Sequence, residues 1–311
     1  MLPSRSLPLA LVLAGLGCGD SEGREPGGSG VSGISVGSPA SGPGSDGSVG
    51  SDDDASASGA SAGPVLDVGA ATNASAEEGG GGEGCTKVDF LFVIDNSSSM
   101  GDEQDALITS FPGFMLTIQN TLTQAQDYHV MVVDTDAAWG GECELLCPLF
   151  GNVCPANPGY PCGQGPPSPC DATLGAGVNY PQGSDATNML CSFSSGKRYM
   201  DVTEPNLPAA FQCAAKVGSD GDSDERAASS MVSALSDELA QPGACNEGFI
   251  RDDAILVVTF ITDEDDDPSD GSLGTVEGWR AALVAAKKGD DAAVVVLGLF
   301  GDGDQNGGIC P

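Results

Sequence analysis

The chain has few basic residues, few aromatic residues and a single histidine. It carries 11 Lys and Arg against 45 Asp and Glu among 311 residues, so its formal net charge is −34. Proteins that bind nucleic acid or anionic lipid surfaces present clustered basic side chains, so this composition argues against both kinds of partner. With His129 as the only histidine, the usual zinc sites and histidine-based catalytic triads are hard to build. The acidic excess instead favours solubility and the binding of cations.

The N-terminal segment predicts export. Arg5 precedes an apolar stretch over residues 7–16, which is too short to span a bilayer. The stretch ends in Gly15-Leu16-Gly17-Cys18, which resembles a bacterial lipobox, whose cysteine becomes lipidated. Residues 1–18 are therefore predicted to be the signal of a lipoprotein at the cell envelope, with the lipid anchor as its membrane contact. A plainly cleaved signal, which would leave a secreted protein, is the alternative.

Residues 19–84 are dominated by Gly, Ser, Ala and Asp. This segment has few large apolar side chains to bury, so it cannot offset the entropy cost of folding and is predicted to be a disordered tether. Its expected role is to hold a folded domain, over residues 85–311, away from the membrane.

Ten cysteines follow Cys18, and an even number in an exported chain favours disulfide bonds. Five of them lie within residues 143–170, among many Pro and Gly residues. This composition predicts a disulfide-stapled insertion over residues 137–196. Zinc binding is less favoured, because no Cys-x-x-Cys pair occurs and exported thiols tend to oxidise. Spacing alone leaves the disulfide pairing open.

The rest of the domain alternates between strand and helix patterns, which is typical of an α/β fold. Strands are predicted at residues 90–94, 128–133, 254–261 and 292–299, and helices at residues 102–122, 202–217, 225–239 and 276–288. The first and third strands are continuous apolar runs. Such runs need cover on both faces, so residues 90–94 and 256–260 are predicted to be inner strands of a mostly parallel sheet.

Polar motifs follow both predicted inner strands. Asp95-x-Ser97-x-Ser99 follows the first, and Thr262-Asp263 follows the other. Carboxylates and hydroxyls are hard oxygen donors that suit Mg²⁺, Ca²⁺ or Mn²⁺, and the carboxyl ends of parallel strands are where α/β sheets bind ligands. A helix N-cap is the alternative for the first motif, and a solvated acidic face is the alternative for residues 263–267.

The motif with its strand, together with the later strand that ends in Thr262-Asp263, resembles a von Willebrand factor type A domain. The resemblance covers about residues 85–300 and implies a three-layer, Rossmann-like fold around a central, mostly parallel sheet. Members of that family usually carry a closing helix after the last strand, so a sequence that stops directly after a predicted strand is expected to be a fragment of the domain. In that family a divalent cation lies over the sheet, bound by the two motif serines, the two acids and a threonine of a second loop.

Carried to this chain, the resemblance implies an Mg²⁺ site (or one for Mn²⁺ or Ca²⁺) with these ligands: Asp95, Ser97, Ser99, Ser219 and Asp263. The second loop, residues 218–225, contains no threonine. Ser219 is therefore predicted in its place, with Ser223 as the alternative. The family uses such a site to accept a carboxylate from a partner protein, so the expected function is cell-surface adhesion or complex assembly, without enzymatic activity.

Two other functions stay open. The chain could be a type A scaffold whose metal site is vestigial. It could also be a magnesium-dependent phosphatase of the haloacid dehalogenase type, because Asp134-x-Asp136 follows a strand as that family's nucleophile motif does, with Asp263 or Asp265 as metal ligand. Residues 302–307 match the first half of an EF-hand calcium loop, but a turn rich in Asp, Asn and Gly is the favoured interpretation.

Overall fold

The computed structural model describes residues 87–121, 127–141, 143–155, 160, 162–221, 225–264, 266 and 271–300. Several predictions lie outside these residues: those for the signal and lipobox, the tether, Cys85, Cys310, Ser223, Asp265 and residues 302–307.

The described strands are β1 (Lys87–Ile94), β2 (Asp127–Asp134), β3 (Met200–Asp201), β4 (Ile255–Thr262) and β5 (Val294–Phe300). They form one sheet in the order β3-β2-β1-β4-β5, and every pair is parallel except β2 with β3. β1 and β4 are both inner strands, so that prediction is confirmed. Ile94 pairs with Asp134 on one side and with Ile261 on the other, so the three strands end within one residue of one another and their following loops emerge side by side.

The described α-helices are α1 (Gly101–Thr121), α2 (Cys143–Leu149), α3 (Leu207–Ala215), α4 (Ala227–Ala234), α5 (Asp237–Ala240) and α6 (Val276–Ala286). They cover both faces of the sheet. Alternate residues of β1 point to opposite sides, so Phe92 packs against Phe111 of α1 and Phe211 of α3, whereas Leu91 belongs to the core that contains Met231 of α4. The predicted α/β architecture is confirmed. No described helix is both long enough and apolar enough to cross a membrane.

Two predicted helices have wrong boundaries, for local reasons. The helix predicted over 202–217 begins only at Leu207, because the Asp201 carboxylate accepts hydrogen bonds from Thr203 and holds a turn before Asn206 caps the helix. The helix predicted over 225–239 is two helices, α4 and α5, because the Ser236 hydroxyl accepts from the Leu239 amide and starts a new helix. Apolar periodicity does not report such side-chain caps.

Four disulfide bonds among the described cysteines confirm the prediction of paired cysteines. Two staple the insertion internally, Cys143–Cys154 and Cys147–Cys162, and two join it to the rest of the domain, Cys170–Cys245 and Cys191–Cys213. Trp139 and Tyr160 pack on the internal pairs and form a small separate core. The insertion therefore has both covalent and apolar support, although α2 and a short 3₁₀ helix are the only helices among its described residues.

We expect loss of the Cys170–Cys245 disulfide to destabilise the protein more than loss of Cys143–Cys154. The first bond spans 75 residues and the second spans 11. The chain-entropy relation then gives about 4.5 and about 3 kcal/mol of unfolding free energy. Urea denaturation of the two paired Cys→Ser variants would measure both losses, and an equal or inverted order would contradict the expectation.

Candidate metal centre

Asp95 is the innermost group of the candidate centre. Its amide donates to the Ile261 carbonyl at 3.0 Å, which extends the β1–β4 ladder by one residue. The side chain is fully buried, and its Oδ1 and Oδ2 accept from the Ser97 amide at 2.7 Å and the Thr262 hydroxyl at 2.5 Å. Burial raises the pKa of Asp95 above its ordinary value, and the charge of Asp263 acts in the same direction. The carboxylate is thus fixed in orientation and incompletely compensated in charge.

The motif serines link Asp95 to Asp263. Ser97 Oγ lies 3.2 Å from Ser99 Oγ, and the Ser99 hydroxyl donates to Asp263 Oδ1 at 3.0 Å. Ser97 is buried, whereas Ser99 is exposed at the rim. Four predicted site residues are therefore brought together by loops that follow adjacent parallel strands.

Ser219 makes different contacts. Its hydroxyl donates to Asp185 Oδ2 at 2.8 Å, and its amide donates to the Ser184 carbonyl at 2.9 Å. These hydrogen bonds tie Ser219 to the insertion. Its role as a metal ligand stays a prediction.

Gln104 of α1 joins the first loop, which follows β1 and carries Asp95, to the second loop, residues 218–225. Its Nε2 donates to the Asp95 carbonyl at 3.0 Å and to the Gly218 carbonyl at 2.7 Å, while its Oε1 accepts from the Gly218 amide at 3.3 Å. The side chain is buried. Sequence reasoning missed it, although the signal was present: Gln104 lies on the same helical stripe as Leu107 and Phe111, where a polar residue needs buried partners.

We expect Gln104→Leu to destabilise the protein by about 3 kcal/mol, because it leaves buried carbonyl and amide groups of both loops without partners. Thermal or urea unfolding of the full chain would measure the loss. Gln212→Leu at an exposed position of α3 is the control, and its expected change is within about 0.5 kcal/mol. Similar stabilities of the two variants would contradict the proposed linkage of the loops.

Asn96 connects the first loop to two others. Its carbonyl accepts from the Gly221 amide at 2.9 Å, and its Nδ2 donates to Asp136 Oδ2 at 3.1 Å. A Cβ atom at Gly221 would lie 2.6 Å from Asn96 Cγ, so this close approach requires glycine. The loops after β1 and β2 and the loop before α4 are thus held as one polar layer.

Glu225 lies in this layer and is only 5% exposed. Its Oε2 accepts from the Thr135 hydroxyl, and the Arg226 amide donates to the Thr135 carbonyl at 3.0 Å. Its Oε1 is buried and has no hydrogen-bond partner among the described residues. Burial raises the pKa of Glu225 to about 9; the charges of Asp95 and Asp136 also raise it, while the Thr135 hydrogen bond opposes them. Sequence reasoning placed Glu225 only at a helix start, since an acid in an acidic loop gives no signal of burial.

The acidic run after β4 divides into different roles. Asp263 contacts Ser99, whereas Asp266 accepts from the Ala228 amide at 2.7 Å and the Ser272 amide at 2.5 Å. Asp266 therefore fixes this loop on the N-terminus of α4. Burial raises the pKa of Glu264, and the charges of Asp95 and Asp263 add to the effect. Asp266 therefore has a structural role, whereas Asp263 and Glu264 add negative charge near Asp95.

A small cavity lies beside the centre. It is lined by polar side chains that include Asp134, Asp136 and Arg198, and its volume is about 20 Å³. This volume holds about one water molecule. The cavity is thus much smaller than a typical ligand pocket of about 300–1,000 Å³. Burial raises the pKa of Asp134 well above its ordinary value, and the charge of Asp136 contributes.

Within the described residues, no three His, Cys, Asp or Glu side chains converge closely enough to hold a metal ion by themselves. The hydroxyls of Ser97 and Ser99 are further oxygen donors beside Asp95 and Asp263. No sequence profile of a known family matches the chain, and no curated protein matches it significantly. The centre must accordingly be judged by its own geometry.

Proposed function

We propose that this chain is a divalent-cation-binding module of the von Willebrand factor type A kind, which binds a protein partner through the cation. The observation that carries the proposal is the contact between Ser99 and Asp263. These side chains are 164 residues apart in sequence, yet the fold holds their oxygens 3.0 Å apart at the carboxyl ends of adjacent parallel strands. That edge is where open α/β sheets bind ligands.

The donor set suits Mg²⁺, Mn²⁺ or Ca²⁺. The Asp95 and Asp263 carboxylates and the Ser97 and Ser99 hydroxyls are all hard oxygen donors, which is the ligand type these ions prefer. A bound cation would supply the positive charge that attracts a carboxylate of a partner protein. Hydrogen bonds from the Ser97 amide and the Thr262 hydroxyl orient the Asp95 carboxylate. Ser99 is exposed, so the outer side of the centre is accessible.

A role at the cell surface agrees with the composition of the chain. The predicted lipid anchor at Cys18 and the tether over residues 19–84 would hold this centre at the cell envelope, and the net charge of −34 disfavours nucleic acid as a partner. We therefore propose adhesion or complex assembly as the biological use, with secretion as the alternative if the signal is only cleaved.

The phosphatase alternative has less support. Asp136 accepts from the Ala138 amide at 2.7 Å and from Asn96 at 3.1 Å, so its two oxygens serve structural hydrogen bonds. Asp134 lines the cavity of about 20 Å³, which is too small for a phosphate ester. Hydrolysis of p-nitrophenyl phosphate by the full chain, lost in Asp134→Asn, would favour the enzyme instead.

Isothermal titration of the chelator-treated full chain with Mg²⁺, Mn²⁺ and Ca²⁺ tests the site directly. We expect one ion per chain, and we expect binding to disappear in the double variant Ser97→Ala/Ser99→Ala, which removes both hydroxyl ligands. Ser98→Ala is the matched control, since Ser98 is exposed in the same loop. If the parent chain binds none of the three ions, the scaffold with a vestigial site becomes the better description.

A further inference from the structure

Glu225 is a buried carboxyl group that the predicted ligand set does not use. It lies next to the candidate centre, because Thr135 both donates to its Oε2 and lies 3.1 Å from Asn96 Oδ1 in the loop that carries Asp95. The charged groups with the strongest influence on Glu225 are Asp95, Asp136 and Glu264, all of them acidic. A carboxyl in such surroundings is unfavourable unless a cation or a proton compensates it.

One of the two carboxyl oxygens of Glu225 is buried without a hydrogen-bond partner among the described residues. Glu225 is 5% exposed, and its Oε1 has no hydrogen-bond partner among the described residues, although its Oε2 is held by Thr135. Buried polar atoms are almost always hydrogen-bonded, and an exception calls for a specific explanation such as an ion. The hydrogen bonds of Thr135 to Glu225 and to Asn96 place this carboxyl beside the loop that carries Asp95.

We propose that Glu225 is the cation ligand of the second loop, in the place predicted for Ser219. This inference rests on the proposed function as a cation-binding module. Ser219 already donates to Asp185, whereas Glu225 Oε1 is uncommitted. The three carboxylates do not converge to ligand distance in the structure. Ligation therefore requires rotation of the Glu225 side chain, which breaks the hydrogen bond from Thr135 to Oε2 but, within the described part of the chain, no hydrogen bond at Oε1.

This assignment changes the expected ion. Asp95, Asp263 and Glu225 would supply three carboxylates in addition to two hydroxyls. Ca²⁺ accepts six to eight oxygen ligands, several of them carboxylates, whereas Mg²⁺ usually keeps several waters and uses one or two carboxylates. The centre is therefore a calcium site by preference. Its third negative charge also lowers the attraction for a partner carboxylate, compared with a site that has two.

Isothermal titration of the full chain with Ca²⁺ and with Mg²⁺ separates the alternatives. In Glu225→Gln we expect calcium affinity to fall by about 10–100-fold and the preference for Ca²⁺ over Mg²⁺ to disappear, because a charged ligand is lost. Ser219→Ala is expected to keep the parent's affinities. Glu277→Gln, which neutralises an exposed acid of α6, is the matched control for net charge.

The possible failures are distinguishable. A parent chain that binds neither ion refutes the proposed function itself. A parent that binds an ion, together with an unchanged Glu225→Gln and a weakened Ser219→Ala, overturns the assignment of Glu225 and restores Ser219. A cooperative thermal transition shows that each variant is folded. If Glu225→Gln lacks one, Glu225→Asp keeps the charge but shortens the reach; loss of the calcium preference then supports the assignment, and its retention overturns it.

Discussion

Asp95→Asn is expected to weaken divalent-cation binding by at least about 100-fold, which exceeds the usual effect of removing a group that only orients a ligand. The substitution removes the buried negative charge at the floor of the centre. It keeps an oxygen that can accept from the Ser97 amide, and the Thr262 hydroxyl can accept from the new amide group. The fold should survive, because β1 is held by apolar burial on both faces and not by this carboxylate. Isothermal titration and thermal unfolding would measure the two properties separately.

Asp252→Asn is the matched control for this experiment. Asp252 is exposed and lies before β4, at the opposite end of the sheet, so the same change of net charge occurs far from the centre. Its ion affinity should equal that of the parent chain. Unchanged Mg²⁺, Mn²⁺ and Ca²⁺ binding by Asp95→Asn would place the metal site elsewhere, and the adhesion hypothesis would lose its main support.

Glu225→Gln is expected to stabilise the metal-free protein at neutral pH. The pKa of Glu225 is about 9 in the folded protein, against 4.5 for an ordinary Glu. At pH values between 4.5 and about 9, unfolding therefore releases a proton from Glu225. The stabilising contribution of this group is complete below pH 4.5 and is lost as pH rises towards 9. At pH 7 the loss amounts to about 3 kcal/mol, since each pKa unit corresponds to about 1.4 kcal/mol. Glutamine does not ionise and avoids this loss.

Urea unfolding in the presence of chelator, repeated from pH 5 to pH 9, would measure this effect. The parent's free energy of unfolding should fall with pH, and the fall should be shallower in Glu225→Gln. It should not vanish, because burial also raises the pKa values of Asp95 and Asp134. Parallel pH profiles of parent and variant would contradict the expectation. The same substitution is thus expected to stabilise the metal-free chain and to weaken calcium binding, which are independent measurements.

The sequence by itself determined the central part of the fold. The apolar runs at residues 90–94 and 256–260 require burial on both faces, so inner positions in a parallel sheet followed directly. Because parallel inner strands end at the same edge, the motif after β1 and Asp263 after β4 were expected to meet, and Ser99 does contact Asp263. The composition of a strand and the motif that follows it depend only on neighbouring residues, so both can be read directly from the sequence.

Only the tertiary structure decided the rest of the centre. Gln104 bonds to Gly218 across 114 residues, and the Glu225 carboxyl is buried against Thr135 across 90 residues. The disulfide pairing likewise depends on which cysteines the folded insertion brings together. Burial and partners of a polar side chain depend on which loops pack around it, and loop packing is set by contacts between distant segments. A polar residue in a polar loop has the same sequence appearance whether it ends in solvent or beneath another loop.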